Sequence, residues 1–353
     1  GKDLTINAGG LNSTNGRIGL INGEKLDPLK INITGNLRAT STSDMNIQQM
    51  SASNNLNVYS ASSLGNITLQ AVKSILGTGD GYVRLEKDGT VLKLISEEGS
   101  VGGPGEARLQ VVNSNDENED NLKRKIVVDA SKGDVYLYGN QNPTYTNEPA
   151  GTLMVDVINA KADGIIDLDS YGSIDITSDK LQAATVGLTA AKNVSIKSKD
   201  ALNVNNFTVV AGQHADAVTK ENTKYGGDVA IYAPTVNVTQ NNSISAYSKG
   251  TKGGNITITA SNTSLSNAAS LNAEGNVKLQ AASSVENTGE ITARNITMTA
   301  GNAEHTADAT LKNTAQLIAY SNIKLEAYGE DKTNANGSVT AALTNTGELQ
   351  LEN

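Results

Sequence analysis

The feature that most constrains this chain is a weak phrase, about twenty residues long, that its C-terminal part repeats. Residues 265–281 have the sequence LSNAASLNAEGNVKLQA, and versions of it occupy 285–300 and 311–327 and begin again at 343. Each copy contains short runs such as NVKLQA, in which apolar and polar residues alternate. Alternation with a period of two places the apolar side chains on one face of a β-strand. Such short strands cannot bury that face alone, so the repeat predicts a solenoid in which each coil covers the next.

The residues that recur in every copy are expected to point inward and stack on the neighbouring coil. The residues that differ between copies are expected to face water. The predicted interior positions include Leu265, Leu271, Val277, Leu279, Ile291, Ile296 and Ile323. An asparagine also recurs, at Asn267, Asn287, Asn313 and Asn345. These asparagines are either ligands for a glycan or members of a side-chain hydrogen-bond ladder. We favour the ladder, because identical amides on successive coils can donate to and accept from one another.

Short strand phrases of the same kind recur along the whole chain, from GKDLTINA at 1–8 onward. We therefore expect an all-β fold in which residues 1–353 form a single segment of a longer protein, with 77–150 less regular. The extra residues should form loops outside the coil. The loop insertions are predicted at 113–125, 140–151, 211–227, 301–310 and 328–339. The last three are expected to leave the coil near one corner and to form a ridge or shallow groove there.

Composition excludes several classes of function. The chain has no cysteine, which excludes disulfides and thiolate metal sites. The net charge of −9 argues against nucleic acid and anionic membranes as partners. Aromatic residues make up only 3% of the chain, which suits a narrow interior filled by Val, Ile, Leu and Ala.

The phrase NTGEITARNITMTA at 287–300 resembles the repeats of filamentous haemagglutinin-like exoproteins, which are large bacterial adhesins usually secreted by a two-partner system. The resemblance covers most of 160–353 and parts of 1–76, and it thins over 77–150. It implies a right-handed parallel β-helix. It also implies a secreted or surface-exposed adhesin segment, an elongated scaffold whose partners are a glycan or protein receptor on a host or bacterial cell surface. No secretion-domain signature is present: GRIGLING at 16–23 is only faintly similar, and Asn142-Pro143 lies in a predicted loop.

Two other functions stay open at this point. One is a purely structural extracellular filament built by end-to-end stacking. The other is a β-helix enzyme that cleaves acidic polysaccharides, for which Asp167, Asp169 and Asp175 are the best carboxylate cluster. Two carboxylates at strand spacing lie about 6–7 Å apart, a separation that inverting glycosidases use. The favoured interpretation of these aspartates is a solvated strand face, and no Arg, Lys or aromatic platform is expected beside them.

Metal and phosphate sites are weakly indicated. Calcium is conceivable at the same aspartates or at Asp116, Glu117, Glu119 and Asp120. The histidines His214 and His305 have acidic neighbours, Asp216, Glu304 and Asp308, but no second histidine at ligand spacing. The stretch GTGDG at 77–81 lacks the Lys-Ser/Thr of a phosphate-binding loop and is predicted to be a turn. The sequence therefore predicts no catalytic, cofactor or metal residues, and a protein that is not an enzyme.

Overall fold

A computed structural model of the chain places its strands in two compact units, Gly1–Asp175 and Ile176–Asn353. The two units are described separately, and the single continuous segment stays a prediction. The structure describes residues 4–8, 16–87, 90–113, 125–130, 132–140, 153–155, 157–162, 166–170, 174–177, 187–199, 201–205, 207–215, 222–240, 242–301, 308–328 and 341–352.

The protein is nearly all β, as predicted, and most of its strands pair in parallel. The strands of the first unit are β1 Leu4–Ala8, β2 Leu20–Asn22, β3 Lys25–Asp27, β4 Leu29–Ile31, β5 Asn36–Ser41, β6 Met45–Gln49, β7 Leu56–Ser63, β8 Ile67–Ala71, β9 Ile75–Leu85, β10 Val91–Ser96, β11 Leu109–Asn113, β12 Lys125–Ala130, β13 Val135–Asn140, β14 Leu153–Val155, β15 Val157–Ala162 and β16 Ile166–Ser170. A single 3₁₀ turn, Gly105–Ala107, is the only helical element among the described residues. Strand β17, Ile174–Thr177, spans the boundary between the units.

The strands of the second unit are shorter. They are β18 Gly187–Ala190, β19 Val194–Ser198, β20 Ala201–Asn205, β21 Thr208–Ala211, β22 Gln213–Ala215, β23 Asn222–Lys224, β24 Val229–Ala233, β25 Thr235–Val238, β26 Ser243–Ala246, β27 Ser248–Lys249, β28 Lys252–Gly253, β29 Ile256–Ala260, β30 Ser264–Asn267, β31 Ser270–Ala273, β32 Asn276–Ala281, β33 Ser284–Asn287, β34 Ile291–Ala300, β35 Ala309–Asn313, β36 Leu317–Ala327, β37 Ala341–Asn345 and β38 Leu349–Leu351.

Parallel pairing in the second unit generates three rows of strands, which the chain visits in order. The first row contains β18, β21, β26, β31, the first halves of β34 and β36, and β38. The second row contains β19, β24, β29, β32 and the second halves of β34 and β36. The third row contains β20, β25, β30, β33, β35 and β37. Each strand therefore pairs with the equivalent strand of the next copy of the repeat.

The register pairs each recurring residue of one copy with the same residue of the next copy. In the second row, for example, Ile256 pairs with Val277, Val277 with Ile296, and Ile296 with Ile323. Of the predicted interior positions, all but the last are at most 1% exposed. Ile323 is only half-buried, so this prediction is wrong. The reason is that no described strand covers the second edge of that half of β36.

The first unit uses the same parallel arrangement in two rows. One contains β4, β6, β8, β10, β12 and β15, and the other contains β5, β7, β9, β11, β13 and β16. The less regular stretch 77–150 keeps this pairing where it is described. In β10, for instance, Leu92 and Leu94 are fully buried and pair with β8 and β12.

The recurring asparagines form the predicted ladder. Each donates one Nδ2 hydrogen bond to Oδ1 of the next asparagine, over 2.8, 2.8 and 2.7 Å along Asn267, Asn287, Asn313 and Asn345. The second hydrogen of each Nδ2 goes to the backbone carbonyl two residues later, as from Asn287 to Gly289 over 2.8 Å. The first three side chains are fully buried. The ladder therefore gives every Nδ2 hydrogen of the three buried amides an acceptor, which stabilises the interior. Of their Oδ1 atoms, that of Asn267 at the start of the ladder has no donor among the described residues.

Replacement of Asn287 by alanine tests how much the ladder contributes to the free energy of unfolding. The substitution removes the acceptor of Asn267, the donor to Asn313 and the donor to the Gly289 carbonyl. Three buried polar groups lose their partners, so we expect the free energy of unfolding to fall by about 3 kcal/mol or more. Urea denaturation of both proteins measures it. Asn295→Ala, which removes a more exposed amide, is the matched control and should lower it by about 1 kcal/mol or less. Equal losses in the two variants would contradict the interpretation.

Candidate functional site

The repeated asparagines do not form a ligand site. The side chains of Asn267, Asn287 and Asn313 have no exposed surface, and the ladder occupies their amides. A glycan outside the coil cannot reach them. Their recurrence in the sequence reflects the interior of the fold.

Asp167 is engaged in an ion pair, contrary to the expectation that no cationic or aromatic group lies beside it. Arg108 Nη2 donates to Asp167 Oδ2 over 2.7 Å, and the guanidinium carbon lies 5.7 Å from the centre of the Tyr136 ring. Burial, and then the carboxylates of Asp134 and Asp167, raise the pKa of Tyr136 above its ordinary value despite the nearby arginine. Tyr136 is therefore a neutral phenol at physiological pH.

Arg108 and Tyr136 belong to a larger group of side chains on the outer face of the row β5, β7, β9, β11, β13 and β16. Two further arginines stack against tyrosines there. Arg38 lies 3.9 Å from the centre of the Tyr59 ring, and Arg84 lies 5.0 Å from that of Tyr82. We call Arg38, Tyr59, Tyr82, Arg84, Arg108 and Tyr136 the arginine–tyrosine face. Cation–π contacts and the parallel register hold these large side chains in fixed positions.

The other candidate ligands of a metal are mostly outside the described residues. These are the side chains of Asp169, Asp175 and His214, together with Asp116, Glu117, Glu119, Asp120, Asp216, Glu304 and His305. Asp308 is described and exposed. Within the described part of the chain, no three His, Asp or Glu side chains come close enough to hold a metal ion. A calcium site at the remaining residues stays an open hypothesis.

The stretch GTGDG does not form a turn between strands. It lies within β9, where the register with β7 jumps from Gly77 opposite Val58 to Tyr82 opposite Ser60. Gly79 has a left-handed φ of +56° at the exposed tip of this bulge. The glycines thus serve a local excursion of one strand, and nothing in their geometry suggests phosphate binding.

The insertions of the second unit lie at two different corners, where the chain passes from one row of strands to the next, so the prediction of one shared corner is wrong. The insertion at 211–227 contains the hairpin β22–β23 and lies between the first and second rows. The insertions at 301–310 and 328–339 instead lie between the second and third rows. The end of the former belongs to the fold, because Ala309 is buried in β35. A second hairpin, β27–β28, leaves at the first of these corners and was not predicted.

The two hairpins are fastened to the coil by Glu274, which lies at this corner. Glu274 Oε2 accepts hydrogen bonds from the backbone N and the Oγ of Ser248, each over 2.9 Å. Its other carboxylate oxygen accepts from Lys224 Nζ, at the end of β23. Burial tends to raise the pKa of Glu274, but the hydrogen bonds from Lys224 and Ser248 outweigh it and hold the pKa below its ordinary value.

We call Glu274 and its hydrogen bonds to Lys224 and Ser248 the brace. An open cleft of about 260 Å³ lies beside it. One wall is the hairpin from Ser248 to Gly253, and the floor is formed by Asn276, Arg294 and Asn295 on successive coils. A second ladder runs along the floor. Asn276 Nδ2 donates to Asn255 Oδ1 over 2.9 Å, and Asn295 Nδ2 donates to Asn276 Oδ1 over 2.7 Å. We call this site the corner cleft.

No protein family model, no curated protein and no solved structure matches this chain. The described part of the chain also contains no helix with the length and hydropathy needed to cross a membrane. The arguments for function therefore rest on the geometry of the arginine–tyrosine face and the corner cleft.

The brace predicts a pH-dependent hairpin. Because the folded pKa of Glu274 is lowered, its stabilising contribution is complete above the ordinary glutamate pKa of about 4.3 and is lost as pH falls through the lower folded value. We expect the amide signal of Ser248 in NMR spectra to titrate with a midpoint below the ordinary value. Lys224→Gln should raise that midpoint, since it removes the strongest of the hydrogen bonds that lower the pKa. A midpoint unaffected by this substitution would show that the brace is absent in solution.

Proposed function

We propose that the chain is a right-handed parallel β-helix segment of a secreted or surface-exposed bacterial exoprotein of the filamentous haemagglutinin-like kind. Its role in this proposal is an elongated scaffold for attachment to a cell surface. The in-register parallel rows within each unit support the architecture, because each copy of the repeat adds one coil without enlarging the interior.

The arginine–tyrosine face carries the attachment role. Tyrosine and arginine, together with tryptophan, are enriched in the energetically dominant parts of protein interfaces. Here three pairs of them lie on one sheet of an otherwise aromatic-poor chain, and Tyr59 is 38% exposed. A rigid strand face presents them with little conformational entropy left to lose on binding. These features suit a protein or glycan receptor on a host or bacterial cell.

Adhesion assays test this proposal directly. Beads coated with the chain should bind epithelial or bacterial cells, and Tyr59→Ala combined with Tyr82→Ala should reduce the bound cells by about tenfold or more. The matched control replaces Tyr232 and Tyr320, two exposed tyrosines of the second unit, and should leave binding unchanged. Beads that bind no cells at all would refute the attachment role. Equal losses of bound cells in both variants would show that the arginine–tyrosine face does not mediate the attachment.

An end-to-end filament is the second candidate, in which a second copy would cover the exposed leucines of the last strands. Leu343, Leu349 and Leu351 are 48%, 48% and 63% exposed. A further coil would cover them, whether it comes from the same chain or from a second copy. Sedimentation velocity distinguishes these cases. Concentration-dependent polymers that Leu349→Lys abolishes would favour the filament, and a monomer at all concentrations would exclude self-stacking of this segment.

We also predict that the protein does not cleave acidic polysaccharides. The carboxylate of Asp167 is held by Arg108, so it is poorly placed to activate water or to protonate a leaving group. Incubation with a panel of acidic polysaccharides should yield no new reducing or unsaturated ends. Formation of such ends by the wild type, and their loss in Asp167→Ala, would establish the enzyme instead.

A further inference from the structure

We infer that the corner cleft of the second unit binds a carboxylate-bearing sugar residue. The site is separate from the arginine–tyrosine face, and only its biological meaning rests on the proposed attachment role. The inference depends on three properties of the cleft as the described residues line it: one arginine, a row of amide donors and no large apolar side chain.

The cation is Arg294, which is exposed on the floor of the cleft. Its backbone N donates to the Gly275 carbonyl over 2.7 Å, which fixes where the side chain begins. No hydrogen bond or ion pair joins its guanidinium to any residue that the structure describes. Glu274 also lines the cleft, but its carboxylate is already engaged by Lys224 and Ser248. The cleft therefore presents one planar, permanently charged donor fork, the group that best matches a carboxylate.

The amide donors come from the second ladder. Each Nδ2 carries two hydrogens, and the described contacts give those of Asn276 and Asn295 one acceptor each. One N–H of each side chain is thus available to a ligand. These two donors belong to adjacent strands, which lie about 4.8 Å apart in a parallel sheet. That spacing matches the separation of oxygen atoms across one pyranose ring, so a sugar can accept from both while its carboxylate meets Arg294.

The described residues that line the cleft are polar, charged or glycine. This composition favours a carboxylate on a hydroxylated ring over a carboxylate on an apolar peptide. The wall contributes Ser248, Gly250 and Thr251, and no aliphatic or aromatic residue is among the described residues that line the cleft. A peptide anchored by a hydrophobic residue would gain little in such a site. A hydroxylated ring gains a hydrogen bond at each contact. The size of the cleft, about 260 Å³, suits one sugar residue rather than a long stretch of chain.

The hairpin wall is rigid enough to define a site. Ser248 ties it to Glu274, which Lys224 of the other hairpin also holds. Gly254, whose φ is +86°, lets the base of the wall approach the strand rows closely. The Lys249 ammonium lies 5.8 Å from the centre of the Tyr225 ring, which links the two hairpins. Glu274 is therefore a positioning residue: it holds the wall and leaves the recognition of the ligand to Arg294 and the asparagines.

Calorimetric titration with the methyl glycoside of glucuronic acid tests the inference on the full chain. We expect a dissociation constant on the order of 1 mM, as is usual for a ligand of this size. The methyl glycoside of glucose, which lacks the carboxylate, should bind at least about tenfold more weakly. Arg294→Gln should weaken binding of the glucuronide by about tenfold or more. The side chain is exposed, so circular dichroism and thermal unfolding should be unchanged in this variant.

Lys278→Gln supplies the matched control. Lys278 is exposed on β32 of the same row but does not line the cleft, and its replacement makes the same change of net charge. It should leave the affinity unchanged. Absence of glucuronide binding, or equal weakening in both variants, would overturn the inference. Tighter binding of an acetylated glutamate amide than of the glucuronide would overturn the assignment to a sugar. Cell adhesion that persists in Arg294→Gln would leave the proposed attachment role intact, so the two proposals fail separately.

Discussion

The in-register parallel pairing of each copy of the repeat with the next is the constraint on which the rest of the structure depends. Inward side chains with a described neighbour on both sides are buried by their equivalents in the adjacent copies of the repeat, as Leu279 is by Ile258 and Met298. A slip of one residue would turn every apolar side chain of a strand to the outer face. The Asn ladder makes such a slip still less favourable, because a buried amide must meet an amide and not a leucine. The repeated asparagine therefore helps to fix the register and also provides acceptors for the buried amide donors.

Much of the interior could be predicted from the sequence, because alternation depends only on local geometry. Val277 and Leu279 follow from the period of two, and the ladder of Asn287 follows from an asparagine at the same place in each copy, although the steps between copies are 20, 26 and 32 residues. Ile323 shows where that reasoning stops: its letter fits the pattern, but its burial depends on whether a neighbouring strand covers it. The handedness and the single continuous coil concern long-range geometry, which a strand pattern does not fix.

The functional geometry was much harder to predict, because its partners are far apart in the chain. Arg108 and Asp167 are 59 residues apart, and Lys224 and Glu274 are 50 apart. Asn276 is the first residue of β32, a position where an asparagine is ordinarily explained by turn geometry. Its role in a second ladder follows only once the coil spacing brings Asn255 and Asn295 beside it. The signal that could have revealed it was the recurrence of Asn at this position in three successive copies of the repeat.

The contrast between the two ladders explains how such a fold can acquire binding sites without losing stability. In the buried ladder both Nδ2 hydrogens of Asn287 are used, so nothing remains for a ligand. In the ladder at the corner the second hydrogens of Asn276 and Asn295 have no described acceptor, and the same repeating geometry becomes a row of donors. A hairpin inserted beside that row adds a wall without altering any inward position. The inward-facing residues maintain the register, so hairpins and outer side chains are free to vary. A binding site can therefore develop at a corner while the interior stays the same.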